Sequence, residues 1–285
     1  MVGHSQGESG LARTRDGRQL HHMRLQGPAG SPTVVFEGGL AASRSYWALV
    51  QLEVAQWANA VVYDRSGLGR SPADPRPRPL RRLAEDLGDL LDHLGPGPFV
   101  LVGHSWGGPV VRIAAAADPG RIAGLVLVDP TDESCELLFA RSVRRAERIG
   151  QVGSALLARL GLLGRTFRWM TDELPADARA DMVAEGFTVE AIRTRAAELG
   201  SVVPDLRALL DHPVDLAEVP LTVISAGQTS TGINATALAA ITEAHAFRAR
   251  QSAHGRHVCA RESGHMVPIT DPEIIVEEIR RLVVA

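Results

Sequence analysis

The sequence predicts an α/β protein: a mostly parallel sheet of about eight strands, flanked by helices and interrupted after the sixth strand by a run of helices. Three observations carry that reading. Short apolar runs such as Thr33–Phe36, Phe99–Val102, Ile122–Val128 and Leu221–Ala226 alternate with amphipathic segments, as a parallel sheet with covering helices requires. The run Phe99–Val102 ends in a corner, Gly103-His104-Ser105-Trp106-Gly107-Gly108, that leads into a helix over Pro109–Ala117. Between 131 and 216 the apolar spacing is helical throughout and no strand pattern appears.

Taken in order, Leu11–Arg15 and Arg18–Leu25 flank Asp16-Gly17, a turn dipeptide that joins two short antiparallel strands. The third strand, Thr33–Phe36, runs into Glu37-Gly38-Gly39-Leu40, a second tight corner. A helical spacing covers Ser43–Trp57, a strand covers Ala58–Tyr63, and Asp64–Ser71 is a glycine-punctuated loop. The proline-rich stretch Pro72–Pro79 is a loop, and Leu80–Leu94 is an amphipathic helix stopped by Gly95-Pro96-Gly97-Pro98. After the serine corner, Asp118-Pro119-Gly120 ends the helix and Ile122–Val128 is the next strand, closed by Asp129-Pro130.

The helical stretch reads as five segments: Ser134–Gly150, Ser154–Leu163, Pro175–Gly186, Thr188–Leu199 and Asp205–Leu210. Alternation resumes with strand Leu221–Ala226, helix Asn234–Ala249, strand Arg256–Ala260, loop Arg261–Ile269 and helix Asp271–Val284. Thr270 with Glu273 fits a capping box, and Pro272 suits a first helical turn. The expected organisation is a core of residues 1–130 and 217–285 split by a helical cap over 131–216.

Composition narrows the partners. A net charge of -3 over 285 residues gives no electrostatic reason to expect nucleic acid or an anionic membrane, which leaves small molecules. Cys135 and Cys259 match neither a disulfide framework nor a metal-binding spacing. Met1–Gly10 lacks the basic start and apolar core of a signal peptide, so a cytoplasmic location is expected. The longest apolar stretch, Phe99–Ala117, is broken by His104, Gly107, Gly108, Pro109 and Arg112, so no membrane span is expected.

Ser105 sits where a strand reverses into a helix, a corner that demands strained backbone angles and small neighbours. The geometry pushes its hydroxyl outward, as a nucleophile requires. A serine hydroxyl attacks poorly until a base takes its proton, and a carboxylate must hold that base. Of ten histidines, only His265 lies in the loop between the last strand and the last helix, at the same sheet edge as Ser105. The residues after Leu221–Ala226, Gly227-Gln228-Thr229-Ser230-Thr231-Gly232, contain no carboxylate. Asp129, at the end of the preceding strand, is therefore the first candidate for the acid, with Asp132 second and Glu262 a solvated outsider.

Attack on a carbonyl leaves an oxyanion that needs two fixed N–H donors. The amide of Trp106 at the helix start is one candidate, and Gly39 or Leu40 in the glycine corner is the other. The Asp64–Ser71 loop lacks the third glycine of a dinucleotide fingerprint and the lysine of a phosphate loop. It reads as a buttress for the serine corner, with Arg65 paired to Glu37. Phe139, Trp169 and Met266, with Phe167 and Met170, are candidate substrate contacts; their helical spacing suits lid packing equally.

Four motifs together, G-H-S-W-G-G at 103–108, D-R-S-G-L-G-R-S at 64–71, L-V-L-V-D-P at 125–130 and S-G-H-M-V-P at 263–268, resemble the α/β-hydrolase fold family from Thr33 to Val284. The resemblance implies Ser105 as nucleophile, His265 as base, an oxyanion hole at Gly39 and Trp106, and a cap formed by the helical insertion. Glu37 stands where many relatives have histidine, and the acid lies one strand earlier than in many of them. Haloalkane dehalogenases and epoxide hydrolases carry an aspartate at the elbow, so Ser105 argues against both chemistries. Trp106 after the serine is similar to prolyl aminopeptidases, whose glycine corner differs. The expectation is a cofactor-free, metal-free serine hydrolase acting on a carboxylic ester or lactone of a small, largely apolar substrate. Amide cleavage, a ligand-binding protein on the same fold, and a perhydrolase are the alternatives.

Overall fold

Along the central strands Val34, Phe36, Val100 and Val102 alternate with Val35 and Leu101, and a two-residue period sends each set to its own face of the sheet. The computed structural model describes residues 3–216 and 218–284; Met1, Ala217 and Ala285, which bound the expected core segments, lie outside the described residues. The strands are β1 (Glu8–Arg13), β2 (Gln19–Leu25), β3 (Thr33–Glu37), β4 (Asn59–Tyr63), β5 (Phe99–His104), β6 (Ile122–Val128), β7 (Leu221–Ala226) and β8 (Gly255–Ala260). They form one eight-stranded sheet in the order β1-β2-β4-β3-β5-β6-β7-β8. Only β1 and β2 run antiparallel to their neighbours, which makes the expected hairpin edge.

One face of the sheet is covered by α2 (Leu80–Leu94) and α3 (Gly107–Ala117), whose Leu83, Leu87, Val110 and Val111 pack on Val35, Leu101 and Leu125. The other is covered by α1 (Ala48–Val54) and α10 (Pro272–Val284), through Val50, Val54, Ile275 and Ile279. Burial of these aliphatic chains, at about 1.5–3 kcal/mol each, is the main stabilising contribution.

The segment after β6 holds a 3-10 turn (Glu136–Phe139), α4 (Arg141–Arg159), α5 (Leu163–Thr166), α6 (Ala176–Asp181) with a π turn behind it (Met182–Gly186), and α7 (Val189–Asp211). Two expected breaks are absent. Gly150, Gly153 and Ser154 do not divide α4, which is continuous and carries the packing of its inner side on α7 through Gln151, whose side chain donates to the Ile192 carbonyl (2.9 Å). Pro204 does not divide α7: Ala191, Glu198, Val202, Leu206 and Leu209 form one buried stripe that runs through it. The continuous buried face outweighs the one hydrogen bond that proline cannot donate.

The remaining helices are α8 (Ala235–Arg250), capped by Asn234, whose side chain accepts from the Ala237 amide, and α9 (Val267–Thr270), a single turn inside the expected loop. The capping box at Thr270 is not made: its hydroxyl donates to the Met266 carbonyl (3.1 Å) and closes α9, while α10 starts two residues later at Pro272. Among the described residues no helix is long and apolar enough to cross a membrane.

Candidate active site

The carboxyl ends of β3, β5 and β6 and the loop after β8 converge at one edge of the sheet, and they carry the glycine corner, Ser105, Asp129 and His265. Ser105 has φ +53°, a left-handed conformation that costs an L-residue on the order of 1–3 kcal/mol and persists only when its surroundings fix it. Here its amide donates to the Val128 carbonyl (3.0 Å), and its carbonyl accepts from the amides of Gly108 (3.0 Å) and Thr131 (2.9 Å). The two glycines of the elbow are sterically required. A Cβ on Gly103 would lie 2.6 Å from the Gly107 carbonyl oxygen, and one on Gly107 would lie 2.6 Å from that of Glu37.

His265 Nε2 lies 3.1 Å from the Ser105 hydroxyl oxygen, and its Nδ1 lies 2.6 Å from Oδ2 of Asp129. The Asp129 carboxylate must accept at Nδ1–H, which leaves Nε2 free to accept the serine proton. Asp129 is buried and also strained, at φ +39°. Its amide donates to the Ile224 carbonyl (2.7 Å) and its Oδ1 accepts from the Ala226 amide (2.9 Å), so β7 clamps it from the side. Burial alone would raise its pKa; the hydrogen bond and charge of His265, with His245 and the Ala226 amide, outweigh burial and hold it at about 2.

The other two carboxylates are placed elsewhere. Asp132 is buried in ion pairs with Arg248 (2.7 Å) and Arg112 (3.6 Å), and Glu262 is exposed. The acid-free turn after β7 has a different use: the amides of Gly227 and Gln228 both donate to the Ser263 carbonyl (2.9 Å each) and so shape the histidine loop.

Gly39 abuts the serine, since a Cβ there would lie 3.0 Å from Ser105 Cβ. The Arg65 guanidinium donates to the carbonyls of Gly38 (2.6 Å) and Gly39 (2.7 Å). In a trans peptide the N–H points opposite to the C=O, so the amides of Gly39 and Leu40 face away from Arg65. Neither these amides nor that of Trp106 donates to a protein acceptor among the described residues. The Trp106 indole is core, 1% exposed, and only its backbone faces the serine, at the positive end of α3.

The expected Arg65–Glu37 pair is present and belongs to a larger buried cluster. Arg65 also pairs with Glu198 of α7 (2.9 Å), Glu198 with Arg78 (2.7 Å), and Tyr63 donates to Glu37. Two arginines against two glutamates leave the cluster neutral, which a buried set of charges requires.

Of the candidate substrate contacts, Phe139 is partly buried against the cluster containing Trp106, as is the oxyanion candidate Leu40, and Met266 packs beside Ala48 and Ile269. Trp169 is half exposed on its 3-10 turn. Phe167 stacks on Phe187 within the helical insertion, and Met170 is buried.

Two residues not singled out beforehand support the site. His104 donates through Nε2 to the His265 carbonyl (2.8 Å); burial, with His265 beside it, pushes its pKa down to about 3, so it stays neutral. Its position directly before Ser105 in the elbow was the available signal. His245 hydrogen-bonds through Nε2 to the Pro130 carbonyl and through Nδ1 to Ser225, each at 2.8 Å, which fixes the peptide next to Asp129. No local pattern in the sequence marks that long-range pair.

A nucleophile corner, an imidazole and a buried carboxylate in hydrogen-bonded series at the edge of a parallel sheet define an α/β hydrolase. The chain belongs to the alpha/beta hydrolase family, whose model matches residues 34–278. It is 26% identical over 280 residues to an AB hydrolase superfamily protein of Gibberella zeae, a match covering 88% of this chain and 86% of that one. Lipase LipV of Mycobacterium tuberculosis is 37% identical over 109 residues, 38% of this chain and 41% of that protein. Among solved structures, the epoxide hydrolase CorEH superposes with a TM-score of 0.73 at 18% identity, over 96% of this chain and 98% of that one. At that identity the likeness speaks for the fold alone.

Proposed function

We propose that this hydrolase cleaves a carboxylic ester or lactone of a small, largely apolar substrate through a Ser105–His265–Asp129 triad. The observation that carries the reading is the unbroken series Ser105 Oγ, His265 Nε2, His265 Nδ1, Asp129 Oδ2, at 3.1 and 2.6 Å. His265 takes the serine proton as Oγ attacks the carbonyl carbon, and Asp129 stabilises the imidazolium. The oxyanion is held by the Trp106 amide and by that of Leu40 or Gly39, oriented by Arg65. The imidazolium then protonates the leaving alcohol, and the same base activates water to release the acid and restore Ser105.

The helices of 131–216 are read as a cap that selects the substrate, with Phe139 of the cap and Met266 of the histidine loop as apolar contacts. A serine at the elbow separates this chain from the aspartate chemistry of epoxide hydrolases. The exposed free thiol of Cys259 accords with a reducing, cytoplasmic compartment.

Matched ester, lactone and anilide series, run on the parent and on Ser105→Ala, test the reading. Ester or lactone turnover that vanishes in Ser105→Ala supports it. A preference for the anilides would move the activity to amide cleavage, and turnover that survives Ser105→Ala would refute the triad.

A further inference from the structure

The outward face of α4 combines two properties that seldom meet on a surface helix. Ile149, Val152 and Leu156 of α4, with Leu160 at its C-terminal cap, are each more than half exposed, at 57% to 71%. At about 100° per residue they fall within roughly 80° of one another on the helix wheel. Arg141, Arg148 and Arg159 fall in the adjoining sector and Arg145 within the stripe, all four exposed, so the eight side chains share about a third of the circumference. None of these arginines has a carboxylate partner among the described residues. The single acid of α4, Glu147, is half buried on the opposite side and pairs with Arg144 (2.7 Å). The chain's net charge of -3 conceals this local concentration.

We propose that this face of α4 docks on an anionic lipid surface, lying in the plane of the interface. The aliphatic stripe would enter the acyl boundary while the arginines meet headgroup phosphates, their long stems reaching along the same face. Charge complementarity selects this occupant. A second copy of the chain would set arginines against arginines with no acid on the face to neutralise them. Nucleic acid would satisfy the arginines and leave four aliphatic side chains in water. The proposal concerns a surface apart from Ser105 and stands independently of the substrate.

Flotation of the full chain with vesicles tests it, comparing equal parts phosphatidylglycerol and phosphatidylcholine with phosphatidylcholine alone, at low and high salt. The expected result is binding to the anionic vesicles, about tenfold or more weaker on the neutral ones, and reduced by salt. Ile149→Ser with Leu156→Ser, and separately Arg145→Glu with Arg148→Glu, should each lower binding by about tenfold or more while the thermal melt stays unchanged. The proposal is overturned if the anionic vesicles carry no protein, if both double variants bind like the parent, or if light scattering reveals a dimer that Leu156→Ser separates.

Discussion

Arg65 Nη2 lies 2.7 Å from the carbonyl oxygen of Gly39, and this contact decides which way the Leu40 amide faces. The same guanidinium is held by Glu37 and by Glu198 of α7, so the inserted helices brace the glycine corner beside Ser105. Arg65→Lys keeps the charge but lacks the planar fork that reaches two carbonyls and two carboxylates at once. It should lower kcat by about tenfold to a hundredfold, with KM changed far less, because a displaced oxyanion donor weakens only the transition state. Steady-state kinetics beside a thermal melt would separate this from loss of fold.

Asp129 and Asp132 are three residues apart and both are buried carboxylates, to which the proposed mechanism gives different duties. Asp129→Asn should reduce kcat by up to about 10⁴-fold with the fold retained, since an amide cannot hold the working tautomer of His265. Asp132→Asn removes a partner of Arg248 and Arg112 and should lower stability by about 1–3 kcal/mol while leaving the activity per folded molecule near that of the parent. Reversed outcomes would exchange the two assignments.

The Asp129 carboxyl is lowered in the folded chain from 3.8 to about 2. A group depressed by folding contributes stability that is complete above its unfolded pKa and is lost as pH falls through the folded one. The contribution, about 2 kcal/mol, should therefore be present at neutral pH and disappear between about pH 4 and pH 2. Urea titrations of the parent and Asp129→Asn across that window should show the stability difference shift by this amount; parallel curves would contradict the linkage.

Gly39→Ala should leave the melt within a few degrees of the parent and lower kcat/KM sharply. The added methyl would lie 3.5 Å from the Ser105 hydroxyl oxygen, in the space where a carbonyl must arrive. Activity equal to the parent's would place the approach of the substrate elsewhere.

The elbow was legible because its logic is local: steric crowding at Gly103 and Gly107 and the strain at Ser105 follow from one tight corner. The pairing of Asp129 with His265 could be reached by elimination, because the turn after β7 has no carboxylate and β6 is followed by one. His245 and Glu198 were hidden, since each acts across a long stretch of sequence on a backbone that only the folded chain brings near. The inserted helices misled through propensity. Gly150 and Pro204 are poor helix residues taken singly, yet a partly buried side of α4 and a buried stripe on α7 run past them, and tertiary packing outweighs a local preference of about 1 to 3 kcal/mol.

The central claim is that Ser105 is an activated nucleophile. Labelling with a fluorophosphonate probe, followed by mass mapping, measures it most directly. The intact chain should take up one phosphonyl group on the peptide carrying Ser105, Asp129→Asn should label far more slowly, and Ser105→Ala should not label. A folded parent that does not react, or a Ser105→Ala variant that labels like the parent, would contradict the account.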